Sequence, residues 1–261
     1  MSSSLFSGKV VLLTGASSGI GAALALELAR RGAILGLAAR RMGMLEKIKL
    51  DCENLGATVS IHRCDVAKAD DVTSTTDAIK EKFGRIDVVI ANAGVSGAFK
   101  ASQFRIDAAG QMIDVNVKGL LNTVGAVLPE MCQRNSGVVV GISSLAAYIS
   151  FPQSYVYCAS KSAVSAILQG LRRELRSTNI QVTTICPGYI RTAITAANQF
   201  SMPFLMDADV AAQRIVRAIE RGDPVYDFPR RLRWVIRLLA VLPEVLIALP
   251  FKRGRSMKSL D

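Results

Sequence analysis

The sequence predicts an α/β protein built on one doubly wound parallel sheet, Rossmann-like, with helices on both faces. Three observations carry this expectation. Short, continuously apolar runs alternate with helical patterns of about ten residues or more, as in parallel sheets covered on both sides. The first run ends in a glycine-rich turn that opens a helix. The 261 residues, 50% apolar and 20% charged, suffice for one large core and exclude a disordered chain.

Residues 9–14 (KVVLLT) read as the first strand. The helix over 21–31 comes next, with Leu24, Ala25 and Leu28 on one face. A second buried strand spans 33–39 and a helix 42–55; the third strand, 58–62, precedes a helix over 69–83. The fourth strand is 86–91, a long helix covers about 111–134, and the fifth strand is 137–142 (GVVVGI). Another long helix covers 154–176, and the sixth strand is 180–185. Right-handed crossovers then wind the sheet in both directions. Beyond Gly188 the pattern loosens over 190–207, resumes as an amphipathic helix over 208–221, and ends in a short strand at 224–228. Residues 1–228 are therefore expected to form one domain, and 229–261 a basic amphipathic extension.

Composition narrows the chemistry. Five cysteines (Cys52, Cys64, Cys132, Cys158 and Cys186) are odd in number and widely spread, with no C-x-x-C pair. They suit buried thiols in the reducing cytoplasm, not a disulfide frame or a zinc site. The single histidine, His62, excludes a His-rich metal site and any Ser-His-Asp triad without it. Only four apolar residues follow Lys9 before Thr14, too few for a secretory signal. The uncharged stretch 135–160 is too rich in Ser, Gly and Gln, and too interrupted by Pro152, to span a membrane. The net charge of +11 raises nucleic acid or an anionic membrane as partners.

Two local patterns point to a nucleotide and a proton. The turn Thr14-Gly15-Ala16-Ser17-Ser18-Gly19-Ile20-Gly21 places small residues where a helix begins, so that backbone amides and the helix dipole can meet a pyrophosphate. Its spacing is G-x-x-x-G-x-G, and glycine turns also occur at such junctions for packing alone. After the second strand comes Arg40-Arg41, with no carboxylate until Glu46. An acid there would suit the ribose of NAD(H), whereas guanidinium groups suit the extra phosphate of NADP(H), which is favoured. Two solvated arginines opening a helix are the plainer alternative. In the second pattern, Tyr157 and Lys161 stand four residues apart, on one helical face. The ammonium is expected to lower the phenol pKa and make Tyr157 a proton donor or acceptor near neutrality.

Together these residues resemble the short-chain dehydrogenase/reductase family over roughly residues 8 to 228. Thr14 to Gly21 matches the family's cofactor turn, and Asp65-Val66 its adenine-contacting acidic position. Asn92-Ala93-Gly94 matches its sheet-steadying N-A-G. Asn116, Ser144, Tyr157 and Lys161 match the catalytic tetrad, with Ser144 thirteen residues before Tyr157. Pro187-Gly188 matches the turn after the sixth strand, and Thr192 the hydroxyl contacting the nicotinamide amide, with Ile190 between them. Ala91 stands where many members have asparagine, and Ala147 where glycine is frequent. Ser143 and Tyr155 adjoin the matched serine and tyrosine, but only Tyr157 has a lysine four residues on.

The resemblance implies hydride transfer between a nicotinamide and a carbonyl or alcohol carbon. Ser144 would bond the substrate oxygen, Tyr157 carry its proton, Lys161 hold the ribose, and Asn116 keep a water in the relay. It also implies a homodimer or homotetramer. Residues 195–206 contain Phe200, Met202, Pro203, Phe204, Leu205 and Met206, and Tyr148 and Phe151 flank the site. Such an apolar segment suits a small hydrophobic carbonyl or alcohol (a steroid, retinoid or lipid-like compound), or else simply packs on its own core. Residues 229–258 carry eight Lys/Arg and one acid, interleaved with Trp234 and many aliphatics. They suit peripheral attachment to an anionic membrane, or packing over the pocket or a subunit interface. No nucleic-acid motif is present, and nucleic acid is not expected as a partner. The rival class is a catalytically idle nucleotide-binding or membrane-scaffold protein on the same fold.

Overall fold

The computed structural model describes residues 4–196 and 202–242, the side chain of Ile194 excepted. Phe200 of the expected pocket segment and the extension from Pro243, with Lys252, Arg253, Arg255 and Lys258, lie outside the described residues. The strands are β1 (Val10–Thr14), β2 (Ile34–Ala39), β3 (Val59–Arg63), β4 (Val88–Ala91), β5 (Gly137–Ile142), β6 (Ile180–Pro187) and β7 (Val225–Phe228). They form a seven-stranded parallel sheet in the order β3-β2-β1-β4-β5-β6-β7. The helices are α1 (Gly19–Arg30), α2 (Met42–Glu53), α3 (Ala69–Phe83), α4 (Ile106–Ile113), α5 (Gly119–Gly125), α6 (Leu128–Gln133) and α7 (Tyr155–Glu174). They continue with the single turn α8 (Ala193–Ala196), α9 (Ala208–Glu220) and α10 (Arg230–Val241).

Both faces of the central sheet are buried, which is why β1, β2, β4 and β5 read as nearly unbroken apolar runs. Along β1, Val11 and Leu13 point into a core with Leu24 and Leu28 of α1, Leu45 of α2 and Ile215 and Ile219 of α9. Val10 and Leu12 point the other way, toward Ile79 of α3, Leu120 of α5 and Val164 and Leu168 of α7. The chain runs from β1 outward to β2 and β3, then crosses to β4 on the other side of β1. Strand order reverses there, and a crevice opens at the carboxyl ends of β1 and β4.

The expected helix over 111–134 is corrected. It begins earlier, at Ile106, passes through a π-helical turn at Asp114–Lys118, and breaks before Leu128. Pro129 stands in the first turn of α6, where its missing N–H leaves no bond unmade. The first helix likewise starts at Gly19 instead of residue 21, and β6 continues through Pro187. The start of the basic extension is part of the folded body: Leu232 and Ile236 of α10 are buried with Leu145 and Cys186.

Candidate active site

The crevice is a cleft of about 430 Å³ at the carboxyl end of the sheet. The turn after β1 forms its floor. Gly19 has φ +56°, a region disfavoured for residues with a Cβ, and Gly21 is so close-packed that an ideal Cβ would lie 2.2 Å from the Gly15 carbonyl oxygen. Ser18 stands at the N-cap of α1, but its hydroxyl accepts no bond from the helix amides, and the first turn holds no acid. The helix therefore presents its amides and positive dipole end to the cleft, suited to an anion.

The end of β4 fastens this turn. Asn92 donates through Nδ2 to the carbonyls of Thr14 (2.9 Å) and Gly15 (3.3 Å). The Thr14 hydroxyl accepts from the amides of Asn92 (3.1 Å) and Ala93 (3.2 Å). Thr14 opens the matched turn, but its pairing with Asn92 and Ala93, almost eighty residues away, is signalled by no local motif. At the end of β2, Arg41 donates to the hydroxyls of Ser17 (3.0 Å) and Ser18 (2.7 Å), while Arg40 is exposed at the rim. Asp65 accepts from the Ala67 amide and lines the cleft with Val66. Pro187, Gly188, Ile190 and Thr192 form the opposite lip, and a methyl on Gly19 would meet the Thr192 side chain at 3.0 Å.

The reactive groups gather at the other end. Tyr157 lies in the first turn of α7, and Lys161 one turn on, its Nζ 5.9 Å from the Tyr157 ring centre. Lys161 is buried and donates to the Ile142 carbonyl at 2.9 Å. Ser144 caps the 3-10 turn Leu145–Ala147, accepting from the Ala146 amide at 3.1 Å. Extended backbone at the end of β5 sends neighbouring serines opposite ways. Ser143 turns inward, donating to the Lys161 carbonyl at 2.8 Å, while the Ser144 hydroxyl turns toward the cleft and donates to the Pro187 carbonyl at 3.4 Å. Tyr155 stacks on Phe104 with ring centres 6.3 Å apart and packs with Phe99 and Met112, outside the cleft lining.

The expected lowering of the Tyr157 pKa by Lys161 is corrected. Part of the Tyr157 side chain is exposed in the cleft, but protein atoms crowd its hydroxyl end. Burial pushes its pKa up, opposed by the Ser144 hydrogen bond. Burial also pulls Lys161 down to about 8. Removal of water is the largest cause of both shifts.

The matched residues line the cleft except Thr14, Ala16 and Asn116. The Asn116 side chain is buried on the π turn, accepting from the Val95 amide (2.8 Å) and donating to the Val95 carbonyl and Ser160 hydroxyl (both 2.9 Å). Both of its N–H groups are committed, so it positions strand-end backbone instead of facing the substrate. No motif signal identifies Ser160 or Val95. Tyr148 is expected from the sequence to flank the site, but its partner is not: its hydroxyl donates to buried Asp227 at 2.9 Å, and Arg237 completes the group. Among the described residues no cluster of His, Cys, Asp or Glu could hold a metal.

Fold and cleft define a nucleotide-binding oxidoreductase scaffold with a tyrosine–lysine–serine reactive end. Residues 9–201 match the short chain dehydrogenase family, and the chain belongs to it. An uncharacterized oxidoreductase of Myxococcus xanthus is 39% identical over 247 residues, 95% of this chain and 98% of that one. A short chain dehydrogenase/reductase from Burkholderia phymatum, solved in complex with NAD, superposes with a TM-score of 0.84 at 25% identity, covering 98% of this chain and 99% of its own. An alcohol dehydrogenase from the archaeon Thermococcus sibiricus, complexed with 5-hydroxy-NADP, gives 0.76 at 29% identity, covering 84% and 94%. The chain is thus a hydride-transferring oxidoreductase of this family.

Proposed function

We propose that the protein is an NADP(H)-dependent oxidoreductase acting on a carbonyl or alcohol carbon of a hydrophobic small molecule. One observation carries the reading: a single cleft holds an anion-ready glycine turn with two arginines at one end, and Ser144, Tyr157 and Lys161 at the other. The residues present fit the dinucleotide. The uncapped start of α1, the glycines that a Cβ would fill, and the Arg41–Ser17–Ser18 donor set all suit phosphate. Gly15, Gly19, Ile20 and Gly21 would hold the pyrophosphate, Asp65 and Val66 the adenine side, Asn92, Ala93 and Gly94 the central backbone, and Thr192 the amide end. When bound, the nicotinamide supplies or accepts the hydride.

The chain's own groups handle the oxygen and its proton. Ser144 donates to the substrate oxygen and holds it beside the Tyr157 hydroxyl. A raised phenol pKa keeps Tyr157 protonated at neutral pH, ready to protonate a carbonyl oxygen in reduction. In the reverse direction the same oxygen takes the proton from the alcohol. Lys161, anchored on the Ile142 carbonyl, would hold the ribose with its remaining N–H groups and favour phenolate when one forms. Tyr148, Phe151 and Tyr189 pack beside the Ser144 turn and favour an apolar substrate. The same proposal includes a homodimer or homotetramer in the cytoplasm, supported by exposed Ile106, Ile113 and Leu121 on α4 and α5 and by five unpaired cysteines.

A carbonyl panel assayed by loss of reduced-nicotinamide absorbance, with NADPH and NADH side by side, tests this. NADPH-dependent turnover is expected, and Tyr157→Phe should lower it roughly a hundredfold or more while cofactor binding persists. Equal inertness of wild type and variant across a broad panel would refute it.

A further inference from the structure

Helix α10 has two apolar faces, and among the described residues nothing covers one of them. Leu232 and Ile236 are buried on the body. On the opposite side Trp234, Leu238 and Val241, spaced four and three residues apart, are 66%, 62% and 78% exposed. A surface helix ordinarily has one apolar stripe, turned inward, so a second stripe containing tryptophan marks an interaction surface. The cations of the helix are also sorted. Arg233 and Arg237 pair with Asp227, whereas Arg230 and Arg231 are exposed and meet no carboxylate among the described residues. The helix itself contains no acid.

We propose that this face docks on an anionic lipid surface. Trp234, Leu238 and Val241 enter the interfacial layer, and Arg230 and Arg231 meet headgroup phosphates. Charge disfavours other occupants. A second copy would bring arginine-bearing faces together. The chain's own continuation adds Lys252, Arg253, Arg255 and Lys258 against only Glu244 and Asp261, so it leaves the positive charge uncompensated. On its inner side, α10 backs the Gly188 lip of the cleft: a Cβ on Gly188 would lie 2.8 Å from Leu232 Cδ2. Docking therefore sets that lip beside lipid, where apolar carbonyl compounds partition; this last step rests on the oxidoreductase reading.

The test sediments the full-length protein with vesicles of phosphatidylcholine plus phosphatidylserine, and with phosphatidylcholine alone, at low and high salt. Wild type should pellet with the anionic vesicles at low salt and be released by high salt. The Trp234→Asp/Leu238→Asp variant should bind roughly tenfold more weakly or worse, and Arg230→Ser/Arg231→Ser should lose the salt-sensitive part. Each variant should keep wild-type reduction of a water-soluble carbonyl, since none of these positions lines the cleft. Unchanged pelleting of the Trp234/Leu238 variant, or equal binding to neutral vesicles, would overturn the proposal. So would a wild-type dimer that the variant abolishes in the absence of any vesicle binding. Wild type that pellets as expected but reduces no carbonyl would remove the oxidoreductase reading and leave docking standing.

Discussion

Replacing Asp227 with Asn should loosen α10 from the body of the protein. The Asp227 side chain is 2% exposed and lies 2.8 Å from Arg237 Nη2 and 3.4 Å from Arg233 Nε, with the Tyr148 hydroxyl donating at 2.9 Å. The amide keeps the shape and removes the charge, leaving two guanidinium groups adjacent and uncompensated. Their Nε atoms already make no hydrogen bond. Breaking a fully buried pair costs about 3–5 kcal/mol. Here the arginines are 32% and 41% exposed, so water screens part of the loss. A destabilisation of about 2–3 kcal/mol is expected. For a chain of this size that corresponds to a fall in Tm of roughly 4–12 °C. Scanning calorimetry on wild type, Asp227→Asn, Arg237→Met and the double variant would measure it. The cycle should show a coupling of about 1 kcal/mol or more. Additivity within about 0.5 kcal/mol, or an unchanged Tm, would show that Leu232 and Ile236 hold the helix by apolar contact alone.

The cleft supplies three further expected outcomes. Arg41→Ala removes two donors from the glycine turn and should weaken NADPH binding about tenfold or more, with NADH little changed, by fluorescence titration. Gly21→Ala puts a methyl group into the Gly15 carbonyl and the Asn92 amide, and should weaken either dinucleotide by about tenfold or more in the same titration. Lys161 has its pKa depressed from 10.5 to about 8, so between those values the unfolded chain binds the extra proton. Stability of wild type relative to Lys161→Met should therefore rise across that window, by at most about 1.4 kcal/mol per pH unit, in denaturant titrations. A flat difference would mean that burial does not perturb this lysine.

Much of the fold is legible because a parallel sheet buried on both sides leaves apolar runs with no polar alternation, as in residues 10–13 and 137–142. The glycine turn and the Tyr157–Lys161 spacing are legible because both are local. The features that escape are non-local. Asn116 finds Val95 and Ser160, twenty-one and forty-four residues away, and no spacing rule indicates that its amide is fully occupied. Asp227 is one acid among many in the sequence, and only folding brings Tyr148, Arg233 and Arg237 to it. The direction of the Tyr157 shift escapes for the same reason. Helical spacing reveals a neighbour's charge but not how much water the fold removes.

The π turn at Asp114–Lys118 also sets the length of the chain there. It fits one more residue into its loop than an α-helix does, and Asn116 faces inward from within it. Removing one residue would let the segment relax to α-helix, rotating α4 by about 100° relative to α5. Met112 and Leu120, buried in separate apolar clusters on either side, could then no longer both be seated. A single-residue deletion here should therefore be harsher than most substitutions, even though several neighbouring side chains lie at the surface.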